Sequence, residues 1–99
     1  THVVHLQEHF GPFLADGMLA NQFRSLHIEA VWDRCDHVVF DLEGVFNMTD
    51  SFAFALFGNL AEEHPHDFRA KVTFIHCTET VKSFIAAAIA SALSQTLEK

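Results

Sequence analysis

The hydrophobic positions of this chain form two kinds of run, and the shorter kind predicts strands. Short runs rich in β-branched and aromatic residues occupy residues 2–6, 37–42 and 71–76. In the middle run, Val38, Val39 and Phe40 are apolar without alternation. Such continuity predicts a strand that is buried on both faces, as in a parallel sheet.

The longer runs repeat every three or four residues, which predicts helices. The first helix is expected over residues 16–32, and its apolar stripe comprises Leu19, Phe23, Leu26 and Ala30. The second is expected over residues 50–64, because Pro65 makes continuation unfavourable. The third follows the N-cap residue Thr78 over residues 79–93, and residues 94–99 are expected to fray. Its stripe comprises Val81, Phe84, Ile85, Ala88 and Ala92.

Strand-like and helical runs therefore alternate as strand, helix, strand, helix, strand, helix. This order predicts an α/β fold, with a small, mostly parallel sheet of three to four strands covered by helices. A chain of 99 residues suffices for one domain, so a single domain is expected over residues 1–99.

Composition narrows the kinds of partner. Six Lys and Arg face thirteen Asp and Glu, which gives a formal charge of −7. Since the basic residues do not cluster, neither nucleic acid nor an anionic membrane surface is expected as a partner. The longest apolar run, residues 84–90, is far shorter than the roughly 20 residues of a membrane-spanning helix. Cys35 and Cys77 match no metal or redox spacing, which favours reduced, half-buried thiols in a cytoplasmic protein.

Eight histidines are many for this length, yet their spacing predicts no metal site, and no cofactor is expected. His2, His5 and His9 would share a face if they lay on one helix. In the strand predicted here, alternation sends His2 and His5 to opposite faces. No nucleophile motif of a hydrolase is present, so an enzyme is not expected.

Asp41 ends the buried strand, at the place where ligands bind in open α/β sheets. In one interpretation it pairs with Asp50 to hold a metal or to perform acid–base chemistry. In the interpretation that we favour, its carboxylate accepts N–H bonds from the turn at Gly44 and Val45. Whether a histidine, His37 or His76, approaches Asp41 depends on the strand order.

Residues 41–55 read DLEGVFNMTDSFAFA and resemble the signature of the STAS superfamily, the anti-sigma-factor-antagonist domains. In that signature a strand ends in Asp-Leu-x-Gly-Val, and Asp-Ser-Ser-Gly opens a helix. The sequence is more similar to the bacterial STAS-like family of unknown function, with its pattern S-F-A-x-x-L-F-G-x-L, which residues 51–60 fit. Residues 71–84 also fit that family, and the resemblance covers roughly residues 11–93.

The resemblance implies that Ser51 stands at the phosphoacceptor position, with Thr49 as a second candidate. Phosphorylation would add about −1.5 to −2 charges at a helix N-terminus beside Asp50, enough to eject a docked partner. The family's Gly after the phosphorylated Ser is Phe52 here. The competing interpretation is that Ser51 and Asp50 only cap the helix.

The second helix offers a candidate partner surface. Its residues Phe52, Leu56 and Phe57 fall on the arc that faces the sheet, and Phe54 lies about 200° from Phe52. On that other face the neighbours of Phe54, such as Gly58, are small. A large ring on a small-residue face suits a docking partner or a homodimer; alternatively, another helix of the same domain covers it.

The sequence thus favours a non-catalytic regulatory module that resembles anti-sigma-factor antagonists. Its helix over residues 50–64 and the preceding turn would bind a protein partner, which the resemblance implies to be a histidine-kinase-like ATPase or switch protein. The alternative is a domain that senses a small ligand or nucleotide through the turn after Asp41 and the start of that helix. Against a nucleotide, residues 35–68 contain no Lys or Arg to neutralise phosphate.

Overall fold

The main sheet consists of three parallel strands. A computed structural model of the protein describes residues 1–97, with side chains through residue 94. The strands are β1 (His2–His5), β3 (Val38–Asp41) and β5 (Val72–Ile75), in the spatial order β1-β3-β5. Val38 and Phe40 of the central strand are completely buried. The α/β prediction of a small parallel sheet covered by helices is confirmed.

The register aligns the carboxyl ends of all three strands. His5 lies opposite Asp41, and Asp41 lies opposite Ile75, one residue before His76. Because parallel strands end at the same edge of a sheet, residues that are far apart in sequence meet there. This edge carries one of the two sites described below.

A second, two-stranded parallel ladder was not expected from the sequence. It joins β2 (Phe13–Leu14) to β4 (Asn47–Met48), and each strand has only two residues. A backbone bond of 2.9 Å from the Thr49 N–H to the Leu14 carbonyl continues the ladder. The ladder therefore fixes the chain immediately before the second predicted helix.

Five helical segments complete the fold. They are α1 (Leu6–Phe10), α2 over residues 17–34, α3 over residues 50–63, α4 (Phe68–Lys71) and α5 (Glu79–Leu97). Both α2 and α3 contain a π turn, at Arg24–Ile28 and Phe54–Gly58, and α2 ends in the 3₁₀ segment Glu29–Arg34. The sequence analysis missed α1 and α4, which are only five and four residues long.

Of the apolar stripe predicted for α2, only Phe23 is buried. Leu19 and Leu26 are exposed, whereas Ile28 and Trp32 are buried. A π turn holds more residues than an α turn, so it moves every later side chain around the helix axis. Beyond this turn the strict 3.6-residue period no longer identifies the buried face.

The predictions for α3 and α5 are confirmed. The ring of Phe57 meets the sheet edge-to-face, with its centroid 5.2 Å from those of Phe40 and Phe74. Val81 and Ile85 of α5 are buried, and Thr78 caps it by accepting the Val81 N–H. The helix continues to Leu97, past its expected end, and the fraying expected for residues 98 and 99 lies outside the described residues. No helix within the described residues is long and apolar enough to cross a membrane.

Candidate functional site

Three polar side chains meet at the carboxyl edge of the sheet. His5 ends β1, Asp41 ends β3 and His76 follows β5. One carboxylate oxygen of Asp41 lies 2.8 Å from Nδ1 of His76, and the other lies 3.1 Å from Nδ1 of His5. The strand order thus brings His76 to Asp41, whereas His37 lies at the opposite edge, 2.6 Å from the Thr73 hydroxyl.

Asp41 is the buried member of this group, with a side chain only 8% exposed. Its carboxylate accepts the Glu43 N–H at 3.0 Å, so the turn does donate to it, but from Glu43 and not from Gly44 or Val45 as expected. The Val45 N–H donates instead to the Leu42 carbonyl. The hydrogen bond from His76 and that from the Glu43 N–H hold the pKa of Asp41 below its ordinary value.

His76 adopts an unusual backbone conformation, with φ at +58°. This left-handed region is uncommon for residues other than Gly, although Asn, Asp and His adopt it more often than the rest. The hydrogen bond to Asp41 raises the pKa of the His76 imidazole. A carboxylate oxygen of Glu43 lies 4.0 Å from the same Nδ1 atom, so a second acidic side chain borders the group.

A cleft of about 270 Å³ opens beside the group, lined by His5, Gln7, Glu8, Asp41, Glu43 and Gly44. The lining contains three acidic residues and no Lys or Arg. Such a surface repels phosphate, which disfavours a nucleotide at the turn after Asp41. Asp50 is not among the acidic and histidine side chains that the described chain gathers around Asp41.

A second site lies at the start of α3. Thr49 is its N-cap: the side-chain oxygen accepts the Phe52 N–H at 3.1 Å, and the hydroxyl donates to the Ala15 carbonyl at 3.0 Å. The expectation that Ser51 and Asp50 cap this helix is therefore wrong. Both lie in the first turn of α3, and both are exposed.

The segments around Ser51 carry exposed apolar side chains. The backbone of Ser51 contacts Gly17, where an added Cβ would lie 3.2 Å from the Ser51 carbonyl oxygen. The next residue, Met18, is 75% exposed. On the β2-β4 side, the rings of Phe13 and Phe46 stack with centroids 6.3 Å apart, and both are exposed.

The chain matches one known protein family. Residues 19–82 match the STAS-like domain of unknown function, DUF4325. The matched segment is more than half of the chain and contains the start of α3 with Ser51. The chain belongs to this family. No curated protein and no solved structure matched it.

The structure of this STAS-like domain also locates Phe54 and Gly58, the two helix positions expected to contact a partner. Phe54 is 36% exposed, and its ring packs over Gly58. Gly58 is buried: an added Cβ would lie 3.3 Å from the carbonyl oxygen of Ala88 in α5. A helix of the same domain covers the small-residue face, so Gly58 is unavailable to a partner.

The sequence analysis did not bring together His5, Glu43 and His76. The signal was present, because each of two histidines comes at the end of a predicted strand, as Asp41 does. Using it required the strand order, which places β3 between β1 and β5. His5 lies before the segment of the STAS-like domain that matches the family.

Proposed function

We propose that this STAS-like domain is a non-catalytic regulatory module that binds a protein partner through one docking face. The docking face consists of Phe13, Met18 and Phe46 together with the turn at residues 49–51. The observation that carries the proposal is the exposed aromatic pair Phe13–Phe46, held by short ladder strands next to an exposed helix start. Such apolar groups at a surface are typical of sites that contact another protein.

The docking face is held rigidly by the fold. The Phe46 N–H donates to the Pro12 carbonyl at 3.0 Å, and the Thr49 N–H donates to the Leu14 carbonyl at 2.9 Å. These bonds fix the backbone that carries the two aromatic residues and the helix start. A surface that is ordered in advance loses little conformational entropy on binding.

Ser51 provides a means of regulation. By family resemblance the partner is a histidine-kinase-like ATPase, which would transfer the γ-phosphoryl group of ATP to the Ser51 hydroxyl and release ADP and a proton. The phosphate adds about −1.5 to −2 charges beside Asp50. An apolar interface that forms over this turn then has to bury charge without a partner, which releases the bound protein.

Site-specific photo-crosslinking in the native host tests this proposal. A photoreactive phenylalanine analogue replaces Phe46, and in a control chain it replaces Glu62, which lies about 18 Å along α3 from Asp50. We expect the chain labelled at position 46 to capture an ATPase of the kinase type, identified by mass spectrometry. The Ser51→Asp substitution should abolish this product, and Ser51→Ala should preserve it.

Equal capture from positions 46 and 62 would overturn the proposed face. Capture that persists in the Ser51→Asp chain would overturn the regulatory role of Ser51 and leave the docking face in place. The two parts of the proposal therefore fail separately.

A further inference from the structure

The side chains at the carboxyl edge of the sheet form a set of metal ligands that the docking proposal does not use. One ligand atom each from Asp41, Glu43 and His76 lies within 4.8 Å of the other two. We propose that these three residues bind a Zn²⁺ ion, and that His5 orients the Asp41 carboxylate from the other side. The proposal is independent of the docking face.

The spacing of the atoms suits a single small ion. Zinc binds nitrogen and carboxylate oxygen at about 2.0–2.2 Å, so ligand atoms around a tetrahedral ion lie about 3.3 Å apart. Nδ1 of His76 lies 2.8 Å from an oxygen of Asp41 and 4.0 Å from an oxygen of Glu43. These separations lie on either side of the tetrahedral value. All three ligand atoms lie within 4.8 Å of one another, and the side chains of His76 and Glu43 are exposed and free to adjust around an ion.

The ligand atoms at this site favour zinc over calcium and magnesium. An imidazole nitrogen with two carboxylates suits zinc and similar transition metals, whereas calcium and magnesium take oxygen ligands almost exclusively. Three protein ligands leave the fourth tetrahedral position for water or for a group on another molecule. The adjacent cleft of about 270 Å³ gives access to that position.

His5 completes the arrangement as an orienting residue. Its Nδ1 atom lies 3.1 Å from the Asp41 oxygen that does not face His76. Carboxylates that bind zinc are commonly held by hydrogen bonds to their second oxygen. The Glu43 N–H adds a further bond to the carboxylate at 3.0 Å, so Asp41 is fixed before any ion arrives.

The backbone at His76, with φ at +58°, places its side chain beside the two carboxylates. Nδ1 lies 2.8 Å from an Asp41 oxygen and 4.0 Å from a Glu43 oxygen. The surrounding charge also favours a cation, because Glu8 shares the cleft and Lys and Arg are absent from its lining.

Calorimetric titration of Zn²⁺ into the full, untagged chain, first stripped with a chelator, tests the proposal. We expect one ion per chain. The His76→Asn variant should bind Zn²⁺ at least about 10-fold more weakly. Losing even a residue that only hydrogen-bonds to a metal ligand typically costs about 10–100-fold in metal affinity. Asn tolerates positive φ, so this variant is expected to fold. Glu43→Gln, at an exposed turn, is the second ligand variant, and circular dichroism checks that both are folded.

His66→Asn is the matched control, since His66 is exposed in the loop between α3 and α4 and belongs to no ligand group in the described part of the chain. It should bind Zn²⁺ as the unaltered chain does. Co²⁺ titration should add the intense visible absorption of four-coordinate cobalt, and His76→Asn should lose it. The proposal is overturned if binding is not stoichiometric, if His76→Asn binds as tightly as the unaltered chain, or if His66→Asn weakens binding equally.

Discussion

Asp41 ends the central strand, β3, and so lies in the middle of the carboxyl edge of the sheet. Its carboxylate is nearly buried and bonds to His5, to His76 and to the Glu43 N–H. A buried charge is tolerated only when it is paired and hydrogen-bonded, and these partners meet that requirement. The pair with His76 therefore links the stability of the domain to pH.

The stability difference between the unaltered chain and His76→Asn should depend on pH in chelator-containing buffer. The pKa of Asp41 is lowered, so its contribution is present above the ordinary carboxyl pKa and is lost as pH falls through the lowered value. The pKa of His76 is raised, so its contribution is present below the ordinary imidazole pKa and is lost as pH rises through the raised value. The difference should be largest between roughly pH 4 and 6.5.

Urea unfolding at a series of pH values measures this difference. The relief of backbone strain at position 76 adds an offset that does not vary with pH, so only the pH-dependent part is informative. A difference that stays constant from acid to alkaline pH would show that the His76–Asp41 pair contributes no charge interaction.

Replacement of Thr49 by Ala should destabilise the domain more than replacement of Ser51 by Ala. Thr49→Ala removes the acceptor of the Phe52 N–H and should lower the free energy of unfolding by about 1 kcal/mol. Ser51→Ala should change it by less than about 0.5 kcal/mol, as is usual at exposed positions. Urea unfolding followed by circular dichroism measures both. Equal losses would show that Ser51 shares the capping role.

At the scale of the elements, α2 and α3 each contain a π turn, and the turn in α2 changes which face of the helix is buried. In α2 the turn at Arg24–Ile28 brings Ile28 and Trp32 into the core and leaves Leu26 exposed. In α3 the turn at Phe54–Gly58 places Gly58 against Ala88 of α5.

The π turn in α2 predicts that two nearby apolar residues, Ile28 and Leu26, contribute very differently to the free energy of unfolding. Ile28→Ala should cost about 2–5 kcal/mol, because the residue is completely buried. Leu26→Ala should cost less than about 1 kcal/mol, since its side chain is 70% exposed. Chemical unfolding of the two variants measures this contrast. The regular stripe expected from the sequence predicts the reverse order, which would contradict the π turn.

The contact between α3 and α5 predicts that Gly58 tolerates no large side chain. Gly58→Leu should destabilise the domain by about 1–3 kcal/mol, because the new side chain enters a filled interface. Glu62→Leu, on the exposed side of the same helix, is the control and should change stability little. Equal free energies of unfolding for the two variants would show that Gly58 lies on an exposed surface.

These elements show what the sequence can and cannot predict. Strands β1, β3 and β5 and helices α3 and α5 were predicted because their apolar periods are regular over enough residues. The ladder β2-β4 and helices α1 and α4 are too short to show a period, and in α2 the π turn changes the period within the helix. Asp41 was identified from its position at a strand end, but its partners His5 and His76 follow only from strand order.

On the scale of the whole molecule, the domain presents two separate sites. The carboxyl edge of the sheet is acidic and carries the proposed zinc ligands. The proposed docking face combines exposed apolar side chains with a turn that carries Asp50 and Ser51. Self-association through the same face would bury Phe46 in a homodimer.

The affinity of the partner captured at position 46 tests the central claim most directly. Binding of the purified partner is measured for the unaltered chain, for Phe46→Ser and for Leu26→Ser, a matched control because Phe46 and Leu26 are 61% and 70% exposed. The docking face predicts that Phe46→Ser weakens binding by about 10-fold or more, the effect of losing more than about 1 kcal/mol at an interface, and that Leu26→Ser leaves it unchanged. Equal weakening by both substitutions, or by neither, would contradict the proposed docking face.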